Sequence, residues 1–324
     1  MAVKNSLVQQ TKKQPFSVFI TQDAIKNKIN QMVGGKDGQR FITSMISAVS
    51  VNPALAECDF STILSAAMLG ESLKLSPSPQ LGQYYMVPYK KKGRNGDPDT
   101  VTAQFQLGYK GYIQLAIRSG YYRKINVLAI KEGELIKFDP LEEVIEVRLI
   151  EDEEERENAK TIGYYAMFEY HNGFKKAMYW SKKKMLAHAD KYSSAFSKDG
   201  TKARDPKYNK VSFADFEAGK VKESDMWLYS SFWYKDFDGM AYKTMLRQLI
   251  SKWGIMSIEM QNALEKDESV ISEDGSFEYV DNEPETSATD STDTPPTIID
   301  TTATVNESGN AEDNVQDAFF NQEA

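Results

Sequence analysis

The chain has 324 residues, with 39 Lys and Arg against 47 Asp and Glu, for a formal net charge of −8. Cys58 is its only cysteine, and His171 and His188 are its only histidines. That excludes an intramolecular disulfide and a cysteine-built zinc site, and disfavours a histidine-rich metal centre. No apolar run reaches the roughly 18 residues of a spanning helix, and Met1 to Gln14 lacks the apolar stretch of a signal peptide. A cytoplasmic protein without membrane contact is expected.

The net charge conceals a division. Asp267 to Ala324 holds sixteen acids and no base, whereas residues 1–266 hold 39 bases and 31 acids, a balance of +8. A basic body joined to an acidic segment points to nucleic acid or to a membrane surface. Residues 267–324 are rich in Asp, Glu, Thr, Ser, Asn and Pro, which cannot bury enough surface to offset ordering entropy, so a disordered tail is expected there. Its end, with Val315, Ala318, Phe319 and Phe320 after Glu312 and Asp313, suits either a chance apolar cluster in a solvating tail or a peptide hook for a partner protein.

In chain order, helical apolar spacing appears over Asp23–Met32 and Arg40–Ser50. Asp59 is placed to cap a helix from Phe60 to Leu73. Alternation over Gln83–Lys90 and Thr100–Leu107, around a Gly/Asn/Asp/Pro turn, predicts a β-hairpin with Lys91, Lys92 and Arg94 at its tip. A short helix from Tyr109 to Ser119 follows. Strands are expected over 122–130, 134–138, 144–150, 162–170 and 174–180, with the acidic run Glu151–Glu157 as a solvated loop. Ser181 caps a helix reaching about Ser194. A lysine-rich loop then leads to a long helix from Asp225 to about Gly254, broken near Asp238-Gly239. The order of helices, sheet and helices is α+β, without the βαβ alternation of a dinucleotide fold.

Catalytic signatures are missing. The chain has no G-x-x-x-x-G-K-[ST], G-x-S-x-G, H-E-x-x-H or G-x-G-x-x-G. A metal-dependent nuclease would have to use Asp236 and Asp238, or the Glu151–Glu155 run. Asp236 and Asp238 are two apart and would diverge on a helix. The coherent features are cationic. Lys110, Gln114 and Arg118 recur every four residues on one helical face, where charge and hydrogen-bond donors at regular spacing can follow a phosphate backbone. The same spacing is that of an ordinary wet helix face. Lys243 and Arg247 repeat it near the end. Residues 172–222 hold 13 Lys and Arg, Lys182 and Arg204 among them, against 5 acids, interleaved with aromatics. Such a mixture suits single-stranded nucleic acid, although most of the rings can equally be core.

Three blocks in order then resemble one family. They are Asn52-Pro53 through Cys58-Asp59 and Ser61-Thr62-Ile63-Leu64 with Gly82-Gln83-x-Tyr85-x-Val87-Pro88-Tyr89; Gln106-x-Gly108-Tyr109-Lys110-Gly111-Tyr112-Ile113-Gln114-Leu115-Ala116-x-Arg118-Ser119-Gly120; and Trp233 with Asp238-x-Met240-Ala241-x-Lys243-Thr244-x-x-Arg247. Together they resemble the RecT family of phage single-strand annealing proteins over roughly residues 40–255. Tyr242 stands where that pattern suggests a second lysine, and the acidic tail has no counterpart.

The resemblance implies a bent antiparallel sheet with a β-hairpin packed on a central helix, flanked by N- and C-terminal helices. It implies ATP-independent annealing of single-stranded DNA by a homo-oligomer, ring or helical filament, that holds the annealed duplex. It implies no catalytic residues and no required cofactor, with Mg²⁺ as a modulator at most. The expected partners are a phage exonuclease and a host single-strand binding protein. Residues 1–266 would form the DNA-binding and oligomerisation domain, with Lys110, Gln114, Arg118, Lys243 and Arg247 as leading DNA contacts and Lys91, Lys92, Arg94, Lys182 and Arg204 as further ones. The alternatives are a general single-stranded DNA-binding protein without annealing activity, and a metal-dependent nuclease.

Overall fold

Apolar periodicity alone accounts for the first helices. The computed structural model describes residues 14–91, 98–193, 195–203, 206–272, 274 and 276–279. In it, α1 (Phe16–Ile20), α2 (Asp23–Val33) and α3 (Gly35–Val51) pack together through Ile20, Ile29, Phe41, Ile42 and Met45. A 3₁₀ turn at Pro53–Glu57 leads to α4 (Phe60–Ser72), whose cap is the expected one: an Asp59 Oδ1 accepts from Ser61 N at 2.9 Å. Gly70 of α4 lies directly against the Tyr84 ring, which a Cβ would approach to 2.4 Å. Only glycine allows that approach of helix to sheet.

The hairpin follows in the expected register. Strands β1 (Tyr84–Lys91) and β2 (Thr100–Leu107) pair antiparallel from Tyr84 opposite Leu107 to Lys91 opposite Thr100. Next come α5 (Tyr109–Arg118), β3 (Tyr122–Lys131), β4 (Leu135–Asp139) and β5 (Val144–Val147). The acidic run is no loop: α6 (Glu153–Asn158) forms there, capped by Asp152, whose Oδ1 accepts from Glu155 N at 2.8 Å. Acids crowd its first turn, where the helix dipole favours them. Its Arg156 reaches back to the buried Glu134 at 2.6 Å and to the Ala129 carbonyl at 2.9 Å, fixing α6 to the end of β3.

Strands β6 (Thr161–Tyr170) and β7 (Lys175–Ser181) meet at the expected His171-Asn172-Gly173 turn. Ser181 Oγ then caps α7 (Lys182–Tyr192), accepting from Lys184 N at 3.2 Å. After α8 (Phe213–Glu217), the expected long helix is instead a 3₁₀ turn over Glu223–Tyr229, a short α9 (Phe232–Lys235) and α10 (Phe237–Trp253). The break falls at Asp236, two residues earlier than expected. Asp236 caps α10 by accepting from Gly239 N at 2.9 Å, so its carboxylate occupies the space a side chain at 239 would need.

The described chain ends with α11 (Ile258–Glu265), β8 (Ser269–Ile271) and β9 (Phe277–Tyr279). These strands correct the expected boundary at 267. Ser269 and Val270 pair with Phe105 and Gln104 of β2, and Asp267 is fully buried. The folded body thus extends to at least Tyr279. Residues 1–279 hold 39 bases and 36 acids, a balance of +3, leaving −11 on residues 280–324, the expected peptide hook among them. Those last residues lie outside the described part.

The strands make a four-stranded sheet in the order β1-β2-β8-β9, a three-stranded sheet β3-β6-β7 and the β4–β5 hairpin, all antiparallel. The fold class is therefore the expected mixed one, antiparallel sheets with helices. Helix α4 packs on the first sheet, α7 and α10 on the second, and α5 joins them. Three tyrosines pin α10 to the second sheet. Tyr164 donates to Asp238 Oδ1 at 2.6 Å, Tyr170 to the Trp253 carbonyl at 3.1 Å and Tyr122 to the Ile255 carbonyl at 2.8 Å.

A chain truncated after Lys266 is expected to lose cooperative unfolding in urea, because it lacks Asp267 and β8. One truncated after Tyr279 is expected to unfold at nearly the full-length midpoint.

Candidate nucleic-acid interface

Helix α5 is positioned by its glycines and its buried face. Gly108 N donates to the Gln83 carbonyl at 2.9 Å, and Gly111 approaches that same carbonyl so closely that a Cβ would lie 2.1 Å from it. Tyr112, Leu115 and Ala116 are buried, which turns Lys110, Gln114 and Arg118 outward on one face, as their spacing implied. Lys110, Ile113 and Gln114 form one side of an open cleft of about 290 Å³, with Gln80, Leu81 and Gln83 opposite. The cleft offers an ammonium and amide donors, the groups that suit a phosphate chain.

Arg118 has a different task. Its guanidinium donates to the Leu73 and Lys74 carbonyls at the end of α4, and its Nε to the Gln114 carbonyl. A cation at a helix C-terminus satisfies orphan carbonyls and opposes the helix dipole. The row of three thus divides into two side chains facing a cleft and one tying α5 to α4.

Lys243 and Arg247 are drawn inward. Lys243 is 5% exposed and donates to Asp267 Oδ1 at 3.0 Å and to Glu268 Oε1 at 2.9 Å. Arg247 Nη1 donates to Asp267 Oδ2 at 2.7 Å. Leu107 N and the Tyr112 hydroxyl donate to the same carboxylate, at 2.8 and 3.1 Å. Four donors from β2, α5 and α10 therefore converge on one buried acid. Burial pulls the Lys243 ammonium down, but Asp267 and Glu268 outweigh it and its pKa rises above the ordinary 10.5. The Lys243 charge holds the Glu268 carboxyl below its ordinary 4.5. Burial, then the Asp267 charge, push the Tyr112 phenol well up, so it remains a donor. The sequence marks Tyr112 only as part of a family block and Asp267 only as the first of the acidic run, not as partners in a buried cluster. No short-range pattern distinguishes Asp267 from the acids that follow it.

Lys182, at the start of α7, bonds Glu217 Oε1 at 2.7 Å and lies 5.8 Å from the centres of the Phe213 and Phe237 rings. It helps line a second open cleft, about 600 Å³, with Lys160, Lys235, Asp236 and Asp238. Lys91 ends β1; its side chain, and Lys92, Arg94 and Arg204 entirely, lie outside the described residues. The aromatics of 172–222 are mainly core: Trp180, Phe196 and Phe213 are buried, and Phe196, Phe213, Tyr234 and Phe237 pack ring against ring. Tyr192 is exposed beside His188. Asp236 and Asp238, the nuclease candidates, are engaged by Gly239 N and the Tyr164 hydroxyl. Among the described residues, no three His, Cys, Asp or Glu are grouped to hold a metal ion.

Replacing Asp267 by Asn strands buried cations, so Asp267→Asn is expected to cost on the order of 3–5 kcal/mol in urea unfolding. The Glu268 pKa is depressed by folding, so its contribution is full above 4.5 and lost as pH falls through the depressed value. The Lys243 pKa is raised, so its contribution is full below 10.5 and lost as pH rises through the raised value. Stability is expected to be level in this pair at neutral pH, with Glu268→Gln flattening the acid limb of the urea-midpoint profile. For nucleic acid, Lys110→Ala is expected to lower the salt slope of binding by about one without changing stability. Arg118→Ala is expected to lower stability by about 1 kcal/mol.

Two relatives bear on this arrangement. Over 296 residues the chain is 35% identical to YqaK of Bacillus subtilis strain 168, covering 87% of each protein. Over 268 residues it is 26% identical to Protein RecT of Escherichia coli K12, covering 82% of each. The RecT family model matches residues 39–286, a span that holds the α5 cleft, the Asp267 cluster and the strands β8 and β9. The chain therefore belongs to the RecT family, whose members serve DNA recombination by strand annealing.

Proposed function

We propose that the protein is an ATP-independent annealing protein of phage recombination, which coats single-stranded DNA as an oligomer and pairs it with a complementary strand. The observation that carries this reading is the Lys110–Gln114 cleft on the rigidly held helix α5, within a chain of the RecT family. Annealing forms and breaks no covalent bond, so a site of cations and amides is sufficient for it. Holding one strand by its phosphates leaves base edges open to an incoming strand. Cations also offset repulsion between two polyanions. Each correct base-pair step then adds about 1.4 kcal/mol of stacking, which a wrong register forfeits, so the complementary strand supplies the driving force.

One subunit touches few nucleotides, and testing a longer homology needs many subunits in register through a repeated heterologous contact. The exposed sides of α1, α2 and α3 are the proposed contact between subunits. No helix among the described residues is long and apolar enough to cross a membrane. The proposed setting is the cytoplasm, beside a phage exonuclease that produces single strands and a host single-strand binding protein. No cofactor is required, and Mg²⁺ acts as a modulator at most.

Complementary labelled oligonucleotides, mixed with the protein without ATP and with or without Mg²⁺, test this reading. Pairing faster than protein-free controls is expected in both conditions. Strand binding with no acceleration would leave only a general single-strand binder, and loss of DNA on adding Mg²⁺ would indicate a nuclease.

A further inference from the structure

Three half-buried tyrosines, Tyr85, Tyr109 and Tyr242, lie near the two clefts, the last two packed against the edge of the core. Tyr85 is two residues along β1 from Gln83, which lines the α5 cleft. Tyr109 precedes Lys110, whose ammonium lies 5.9 Å from the Tyr109 ring centre. The Gly82 Cα faces both the Tyr85 hydroxyl and the Lys110 stem, so these side chains border the same space. Tyr242 packs edge-on to Tyr109 at 5.4 Å, and to Tyr164 at 6.0 Å. Tyr164 in turn bonds Asp238, and Tyr85 meets the Phe232 ring at 5.5 Å close to Asp236. Asp236 and Asp238 line the second cleft with Lys160, Lys182 and Lys235. Tyr85, Tyr109 and Tyr242 thus run from one lysine-bearing cleft toward the other, through Phe232 and Tyr164.

We infer that Tyr85, Tyr109 and Tyr242 form a stacking floor for the bases of a single strand whose phosphates run from the Lys110–Gln114 cleft toward the Lys160–Lys182–Lys235 cleft. The inference rests on the annealing reading and adds how the strand is held. Every base has a π face, so stacking on tyrosine binds any sequence, as an annealing protein requires. Tyr109 and Tyr242 hold each other in place and Phe232 holds Tyr85, so little side-chain entropy remains to be lost on binding. Burial first, and then neighbouring acids, raise Tyr85 and push Tyr242 up to about 12, so both stay neutral phenols beside a polyanion. Tyr242 also gains a role here: it stands where a second lysine was expected, and supplies a ring to the floor in place of a charge.

The test compares full-length protein on an oligo-dT strand and on an abasic strand of equal length, which keeps the phosphates and lacks the bases. Wild type is expected to bind oligo-dT more tightly, by roughly tenfold for each tyrosine engaged. Tyr109→Leu and Tyr242→Leu are expected to shrink that difference while leaving the salt slope unchanged, because the lost contact is not ionic. Tyr109→Phe and Tyr242→Phe are expected to retain it. Equal affinity of wild type for the two strands would overturn the inference without any variant. So would a folded Leu variant that separates them as wild type does. Should wild type prefer oligo-dT yet fail to accelerate annealing, the floor stands and the annealing reading fails.

Discussion

One carboxylate organises this protein. Asp267 is fully buried and takes hydrogen bonds from the backbone at the end of β2, from Tyr112 on α5, and from Lys243 and Arg247 on α10. Removing a charge from water is costly unless its field and its lone pairs are matched, and here four donors match them. The cost of a mismatch makes the arrangement specific. Sliding β8 by one residue, or rotating α10, would leave charges buried without partners. The central helix, the end of the first sheet and the long helix of the second are therefore fixed together by one side chain near the end of the folded chain.

That constraint divides the cations by task. Lys243 and Arg247 neutralise Asp267, Arg118 satisfies the end of α4, and Arg156 neutralises the buried Glu134. Lys243, Arg247 and Arg156 lie on faces turned toward another element, whereas Arg118 reaches α4 from the outer face of α5. Lys110 and Gln114 are exposed on the outer face of α5 among the described residues. The helix that presents them is held by Gly108, Gly111 and Tyr112, so the fold itself sets the place of these side chains, on which the proposed DNA contact rests. Preformed donors lose less entropy on binding than mobile ones, which matters where each nucleotide contributes little. The proposed tyrosine floor continues the same logic, with Tyr109 and Tyr242 fixed by each other and Tyr85 by Phe232.

Local signals were read well where the physics was local. Asp59 and Ser181 cap their helices because a short polar side chain needs only the next few residues of backbone. The β1–β2 register follows from alternation and a turn. Charge alone is a poorer guide. The acid run Glu151–Glu157 suggests a solvated loop, but a capped first turn tolerates acids and Arg156 ties the helix down. The break before α10 was placed at Asp238-Gly239, yet the capping residue is Asp236, and Gly239 is the glycine that lets it fold over.

The sequence by itself determined helices α2 to α5 and α7, the hairpin, the outward face of α5, the mixed fold class and, through three spaced blocks, the family. Each depends on periodicity, capping or motif order, which operate within a few residues. Tertiary structure alone decided which cations are drawn into buried ion pairs and that the folded body runs past Asp267. Asp267 sits 160 residues from Leu107 and 24 from Lys243, and in sequence it is the first of sixteen acids with no base among them. Whether an acid becomes tail or keystone depends on the donors that meet it, and those are assembled only when distant strands and helices pack.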